Sequence, residues 1–169
     1  MTISMYDATI PVWKRFLNNL AVLLDKAVAY ADARKIDHSV LLNARLFPDM
    51  FPLIRQVQIA SDHAKGGAAR LADVEAPKFE DDETNFAELQ ARIARTIAFL
   101  DTVTPQHLEG SESRDIVLVI HDTRHEMKGL PYLLERVQPN FYFHVTTAYN
   151  ILRHNGVEIG KRDFIGQQN

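Results

Sequence analysis

The chain has 169 residues, 46% of them hydrophobic and 24% charged, which predicts one domain over residues 1–169 with a sizeable core. Its 19 Lys and Arg against 22 Asp and Glu give a formal net charge of -3, without the basic footprint of a nucleic-acid binder. No cysteine occurs, so a disulfide framework, a thiolate nucleophile and Cys-based metal centres are excluded.

Asp7, Pro11, Lys14 and Arg15 interrupt the first sixteen residues, so no secretory apolar core is expected there. The longest stretch of the C-terminal half without Asp, Glu, Lys or Arg, residues 137–152, is too short and too polar to span a bilayer. A cytoplasmic protein with no membrane and no nucleic-acid partner is the expectation.

Helical spacing dominates the chain. Trp13, Phe16, Leu17, Leu20, Leu23, Leu24, Ala27, Val28 and Ala31 form one stripe of a first long helix. Ser4 and Asp7 have capping-box spacing, and Pro11 calls for a kink or a late start nearby. A short helical turn is predicted over residues 39–46, then a second long helix over 49–72. The apolar face of that helix is Met50, Leu53, Val57, Ala60, Ala64, Ala68 and Leu71. Pro52 is tolerated in its first turn, and Gly66-Gly67 is assigned to close packing, matching no phosphate-loop pattern. The acidic stretch 74–83 is expected to be a solvated loop.

Asn85 with Glu88 starts a third helix, whose stripe is Phe86, Leu89, Ile93, Ile97 and Leu100, and Thr104-Pro105 ends it. The run from Ile116 to Ile120 predicts a strand, returning antiparallel over residues 125–128 after a turn at 121–124. A fourth helix runs from about Leu130 to Asn155-Gly156, with Leu130, Leu134, Val137, Phe141, His144, Ala148 and Ile151 as its stripe. The tail from Val157 onward shows no helical period. The resulting fold class is all-α, an up-down four-helix bundle with a short β-hairpin between helices three and four.

His144 draws attention because it lies in the middle of an apolar stripe. A buried imidazole must pair its ring nitrogens or bind a metal, since an unpaired buried polar group costs ~1–3 kcal/mol. A lone core histidine is more often hydrogen-bonded than metal-bound. His63, or Asp62 beside it, can face His144 across the bundle; the alternative is a solvated edge in which Asp62 pairs with Lys65. Arg45 and Asp49 either lock the corner before helix two or line a pocket mouth with Gln56 and Gln58. His38, His107, His121, His125 and His154 fall at loops, the turn, the returning strand and a helix end. No GxSxG, HExxH or Walker motif occurs.

Several segments carry a family resemblance. They are Ser4-Met5-Tyr6-Asp7-Ala8, Ala44-Arg45-Leu46, Pro48-Asp49-Met50, Gln58-Ile59-Ala60-Ser61-Asp62 and Ala64-Lys65-Gly66. The closing block, from Phe143-His144-Val145-Thr146-Thr147-Ala148-Tyr149 to Gly160-Lys161-Arg162-Asp163-Phe164, is the most specific. The chain resembles a bacterial domain-of-unknown-function family, itself similar in fold to the DinB/YfiT-like metalloenzyme superfamily. That resemblance implies a four-helix bundle, often homodimeric, and a divalent metal held by one His of helix two and an H-x3-H pair of helix four. Transferred here, His63 and His144 match, but Ala148 stands where the third ligand belongs and Tyr149 is one position off that face.

The favoured expectation is therefore a non-enzymatic or degenerate scaffold, homodimeric, with a small polar pocket near His144 able to take a small-molecule ligand. Its candidate residues are His144, His63, Asp62, Gln58 and Tyr149. No cofactor is favoured; the alternative is a zinc- or nickel-dependent transferase or hydrolase using His63 and His144. The aromatics Phe47, Phe51, Phe141, Tyr142, Phe143 and Tyr149 exceed what one helix face can hide, which supports the dimer expectation.

Overall fold

Pro11 decides where the first long helix begins. In the computed structural model, which describes residues 3–166, Ser4 and Asp7 close a turn by reciprocal hydrogen bonds of 2.7 and 3.0 Å. Helix α1 (Ile10–Arg34) then starts with Pro11 in its first turn, where no internal donor is needed. It is followed by α2 (His38–Leu42), whose cap Asp37 accepts from the Ser39 amide, and by α3 (Leu53–Ala72). Both begin or end inside the expected bounds: α2 stops at Leu42, and α3 waits until Pro52 has been passed. Arg45 closes the corner between them by donating to the Met50 carbonyl at 3.1 Å, and not through Asp49.

Asn85 caps α4 (Phe86–Leu100) by accepting from the Glu88 amide at 2.9 Å, while Glu88 reaches back to the Thr84 amide at 2.6 Å. A single 3-10 turn at Pro105–Leu108 and another at Ser111–Ser113 lead into β1 (Asp115–Ile120) and β2 (Thr123–Lys128). The two strands pair antiparallel, with Asp115 opposite Lys128 and Ile120 opposite Thr123. The turn is thus two residues and not four. His121 and Asp122 both take positive φ (46° and 61°), the conformation a tight two-residue hairpin demands.

The last long helix is built in three pieces: α5 (Gly129–Pro131), a π turn at Tyr132–Val137, and α6 (Gln138–His154). This wider turn shifts the helical register. Leu130 and Leu134, expected on the buried stripe, lie exposed, and Tyr132 and Leu133 are buried in their place, while Val137 is buried as expected. From Val137 onward the expected stripe holds, with Phe141, His144, Ala148 and Ile151 all buried. The tail also departs from expectation, since Lys161–Ile165 forms a short helix, α7, that packs on α1.

Helix α3 packs against α4 and α6, and α1 packs against the same two, so the four long helices enclose one apolar core. Ala60, Ala64 and Ala68 carry the α3 side of it, with Trp13 and Phe141 (ring centroids 6.4 Å apart) filling the α1–α6 side. Gly67 is where small size is required. A Cβ there would lie 2.6 Å from Val137 Cγ1 and 3.2 Å from the Trp13 ring, so the π turn could not close onto α3. No helix among the described residues is long and apolar enough to cross a membrane.

Candidate functional site

The α3–α6 contact sets two imidazoles face to face. His63 projects from α3 and His144 from α6, their rings stacked with centroids 5.8 Å apart and planes inclined by 12°. His144 is 8% exposed, and its Nδ1 lies 2.7 Å from Gln56 Oε1. Gln56 uses its amide nitrogen to donate to the Phe51 carbonyl at 2.9 Å, so its oxygen is the group presented to His144. The network therefore assigns the proton to Nδ1 and leaves Nε2 as a lone-pair acceptor. Phe143 packs edge-on against the same ring at 5.2 Å.

Both imidazoles are held neutral. Burial, then the neighbouring His63 and then Arg55, push the His144 pKa down to about 4. His63 is lowered as well: burial dominates, the Asp62 carboxylate opposes it, and Arg136 and Arg70 add to it. At neutral pH the pair offers two uncharged rings and no proton to give at His144 Nε2. It can accept a hydrogen bond from a bound molecule.

The other expected pocket residues stand elsewhere. Gln58 and Asp62 belong to a buried network centred on Arg92, a fully buried guanidinium of α4. Arg92 donates to both Glu83 carboxylate oxygens at 3.0 and 3.1 Å and to Asp62 at 2.8 Å, and it pairs with Asp81 at 3.0 Å. Gln58 donates to Glu83 at 2.8 Å and accepts from Arg55 at 2.8 Å. Burial of Arg92 opposes its charge, but the Glu83 hydrogen bonds and the charges of Asp62, Glu83 and Asp81 outweigh it and raise its pKa. Phe79 sits among Lys65, Arg92 and Arg95, with the Lys65 ammonium 4.1 Å from its ring centre.

The stretch 74–83 is a largely exposed loop, as expected, but Phe79, Asp81 and Glu83 clamp it to the bundle. Asp62 does pair with Lys65, at 3.1 Å, and stays partly exposed, whereas Lys65 is buried, so this edge is solvated only in part. Tyr149 packs against Phe164 of α7, with ring centroids 5.7 Å apart. Gln56, which the sequence set beside Gln58 at a pocket mouth, is the partner of His144. The signal for the Arg92 network was available: Leu89, Arg92, Ile93 and Thr96 share one buried face, and a cation there requires acids.

The DinB-like resemblance implies a divalent metal, so the donor set matters. A zinc centre with an open position uses three protein ligands. Here two imidazoles face one another, Ala148 follows one turn after His144, and the Asp62 carboxylate is occupied by Arg92 and Lys65. No three His, Cys, Asp or Glu side chains among the described residues form a group able to hold a metal. These residues fall short of a zinc or nickel centre.

A cavity of about 220 Å³, with His63 in its lining, lies between β1 and the π turn. Arg70, Tyr132 and Arg136 line it together with Val117 and Val119. Arg70 donates to the Tyr132 hydroxyl at 3.3 Å and to the Gly66 carbonyl at 3.1 Å. Burial raises the Tyr132 pKa against the opposing pull of Arg70.

Comparison with known proteins agrees with this architecture. Residues 5–165 match the family model described as Domain of unknown function (DUF1993). A solved crystal structure of a DinB family member protein from Shewanella denitrificans superposes with a TM-score of 0.92 at 44% identity. The match covers 97% of this chain and 93% of that one. No curated protein matches the sequence.

Proposed function

This chain belongs to the DUF1993 family of DinB-like proteins, and from that premise we propose that it is a homodimeric, non-enzymatic ligand-holding bundle. The observation that carries this reading is the stacked pair His63–His144. Gln56 fixes one ring nitrogen of His144, and Nε2 has no protein partner among the described residues. An uncharged, oriented acceptor set beside His63 and Phe143 suits recognition of a small polar molecule. The chain folds as one up-down bundle domain in the cytoplasm, and the ligand sits between α3 and α6.

The dimer part of the proposal rests on exposed aromatics beside this site. Phe47, Phe51 and Phe143 are 64%, 53% and 55% exposed, and Phe51 and Phe143 flank Gln56 and His144 directly. Rings of this size left in water are a common mark of an interface, and a second copy of the chain is the partner that requires no further component.

Native mass spectrometry of the untagged protein tests both parts. The expected spectrum shows twice the 19.2 kDa chain mass and an added organic mass that His144→Gln loses. A monomer contradicts the dimer. A stoichiometric metal lost in His144→Gln, or the same spectrum with and without His144, contradicts the ligand reading.

A further inference from the structure

The cavity lined in part by His63 has a composition that the stacked histidines do not explain. Two guanidiniums, Arg70 and Arg136, line it without a carboxylate among its lining residues. Neither makes an ion pair among the described residues, whereas Arg55, Arg92 and Arg95 each reach an acid. Arg136 is half-buried. Arg70 is exposed, and two positive charges lining one cavity repel each other less when an anion joins them. Val117 and Val119, from one exposed face of β1, also line it, together with Tyr132, whose hydroxyl accepts from Arg70.

The backbone points to the same place. Tyr132 and Arg136 both lie on the π turn, the one irregular stretch of the last long helix, and such turns are frequently found at functional sites. The same turn buries Val137 against Gly67, which brings this segment close to α3, where Arg70 and His63 reside.

We propose that this cavity binds a small organic carboxylate, its anionic end between Arg70 and Arg136 and its apolar end against Val117 and Val119. Paired guanidinium groups match carboxylate geometry. The valines favour a ligand with a hydrocarbon end over a bare inorganic ion. A volume of about 220 Å³ lies below the ~300–1,000 Å³ of drug-sized sites, so the ligand is small. The site shares the His63 wall with the one proposed above but does not depend on it, because its anion contacts come from other residues.

Isothermal titration of the full chain with acetate, butyrate, benzoate, benzamide and inorganic phosphate tests the assignment. Saturable one-to-one binding is expected for butyrate or benzoate, roughly tenfold or more weaker in Arg136→Gln, and unchanged in His144→Gln. Arg136 makes no side-chain bond to another described residue, so its substitution leaves the fold intact, which circular dichroism verifies. Three results overturn the proposal: no binding by any carboxylate, binding indifferent to Arg136→Gln, or phosphate or benzamide binding as well as benzoate. If carboxylate binding is lost in His144→Gln but kept in Arg136→Gln, the ligand belongs to the stacked-histidine site and this proposal fails alone.

Discussion

Lowering the pH from 7 to 5 should destabilise this protein through His144. The imidazole titrates near 6.5 when unfolded but near 4 in the folded chain, because burial beside His63 and Arg55 disfavours its charge. Between those values the unfolded state binds more protons than the native state, so stability falls as the pH falls. At pH 5 the unfolded ring is almost wholly protonated and the native ring almost wholly neutral, a difference of about 2 kcal/mol. For a chain of this size that lowers the melting temperature by roughly 4–8 °C. His63, whose pKa is also lowered, adds in the same direction. Asp37, Asp81, Glu88 and Asp163 have depressed pKa values, so their contributions are lost mainly below pH 5. Urea denaturation of the wild type and His144→Leu at pH 7 and pH 5 isolates the effect. The variant should lose about 2 kcal/mol less than the wild type across that step. Equal losses in the two proteins would refute the reasoning.

Three further outcomes follow from the packing. Glu83→Gln removes the main acid facing the buried Arg92 and should cost about 3 kcal/mol by urea denaturation. In Arg92→Met/Glu83→Leu most of that loss should return, because neither charge is then stranded. Gly67→Ala should cost about 1–3 kcal/mol, read as a lowered melting temperature, since the new methyl meets Val137 and Trp13. Asn85→Ala should cost about 1 kcal/mol in the same assay, because α4 loses its cap.

What the sequence made legible was periodic. The stripe from Trp13 to Ala31, the Asn85–Glu88 cap and the β-branched run at Ile116 each mark an element by local chemistry, and the elements lie where those signals stand. Leu130 and Leu134 were misplaced because one π turn rotates everything before it, and no residue type announces such a turn. The stacking of His63 on His144 follows from helix faces. Assigning Gln56 and not Gln58 to His144 required knowing that Arg55 and Glu83 claim the Gln58 side chain. The Arg70–Arg136 cavity brings together residues from α3, β1 and the π turn, and spacing along the chain cannot reveal it.

Long-range nitrogen NMR of the His144 ring, before and after one equivalent of zinc, reaches the central claim most directly. The expected ring is neutral, protonated at Nδ1 and unprotonated at Nε2, with a titration midpoint near 4 and no stoichiometric response to zinc. A proton on Nε2 with a midpoint near 6.5, or a metal-bound Nε2 signal at one equivalent, would contradict that claim.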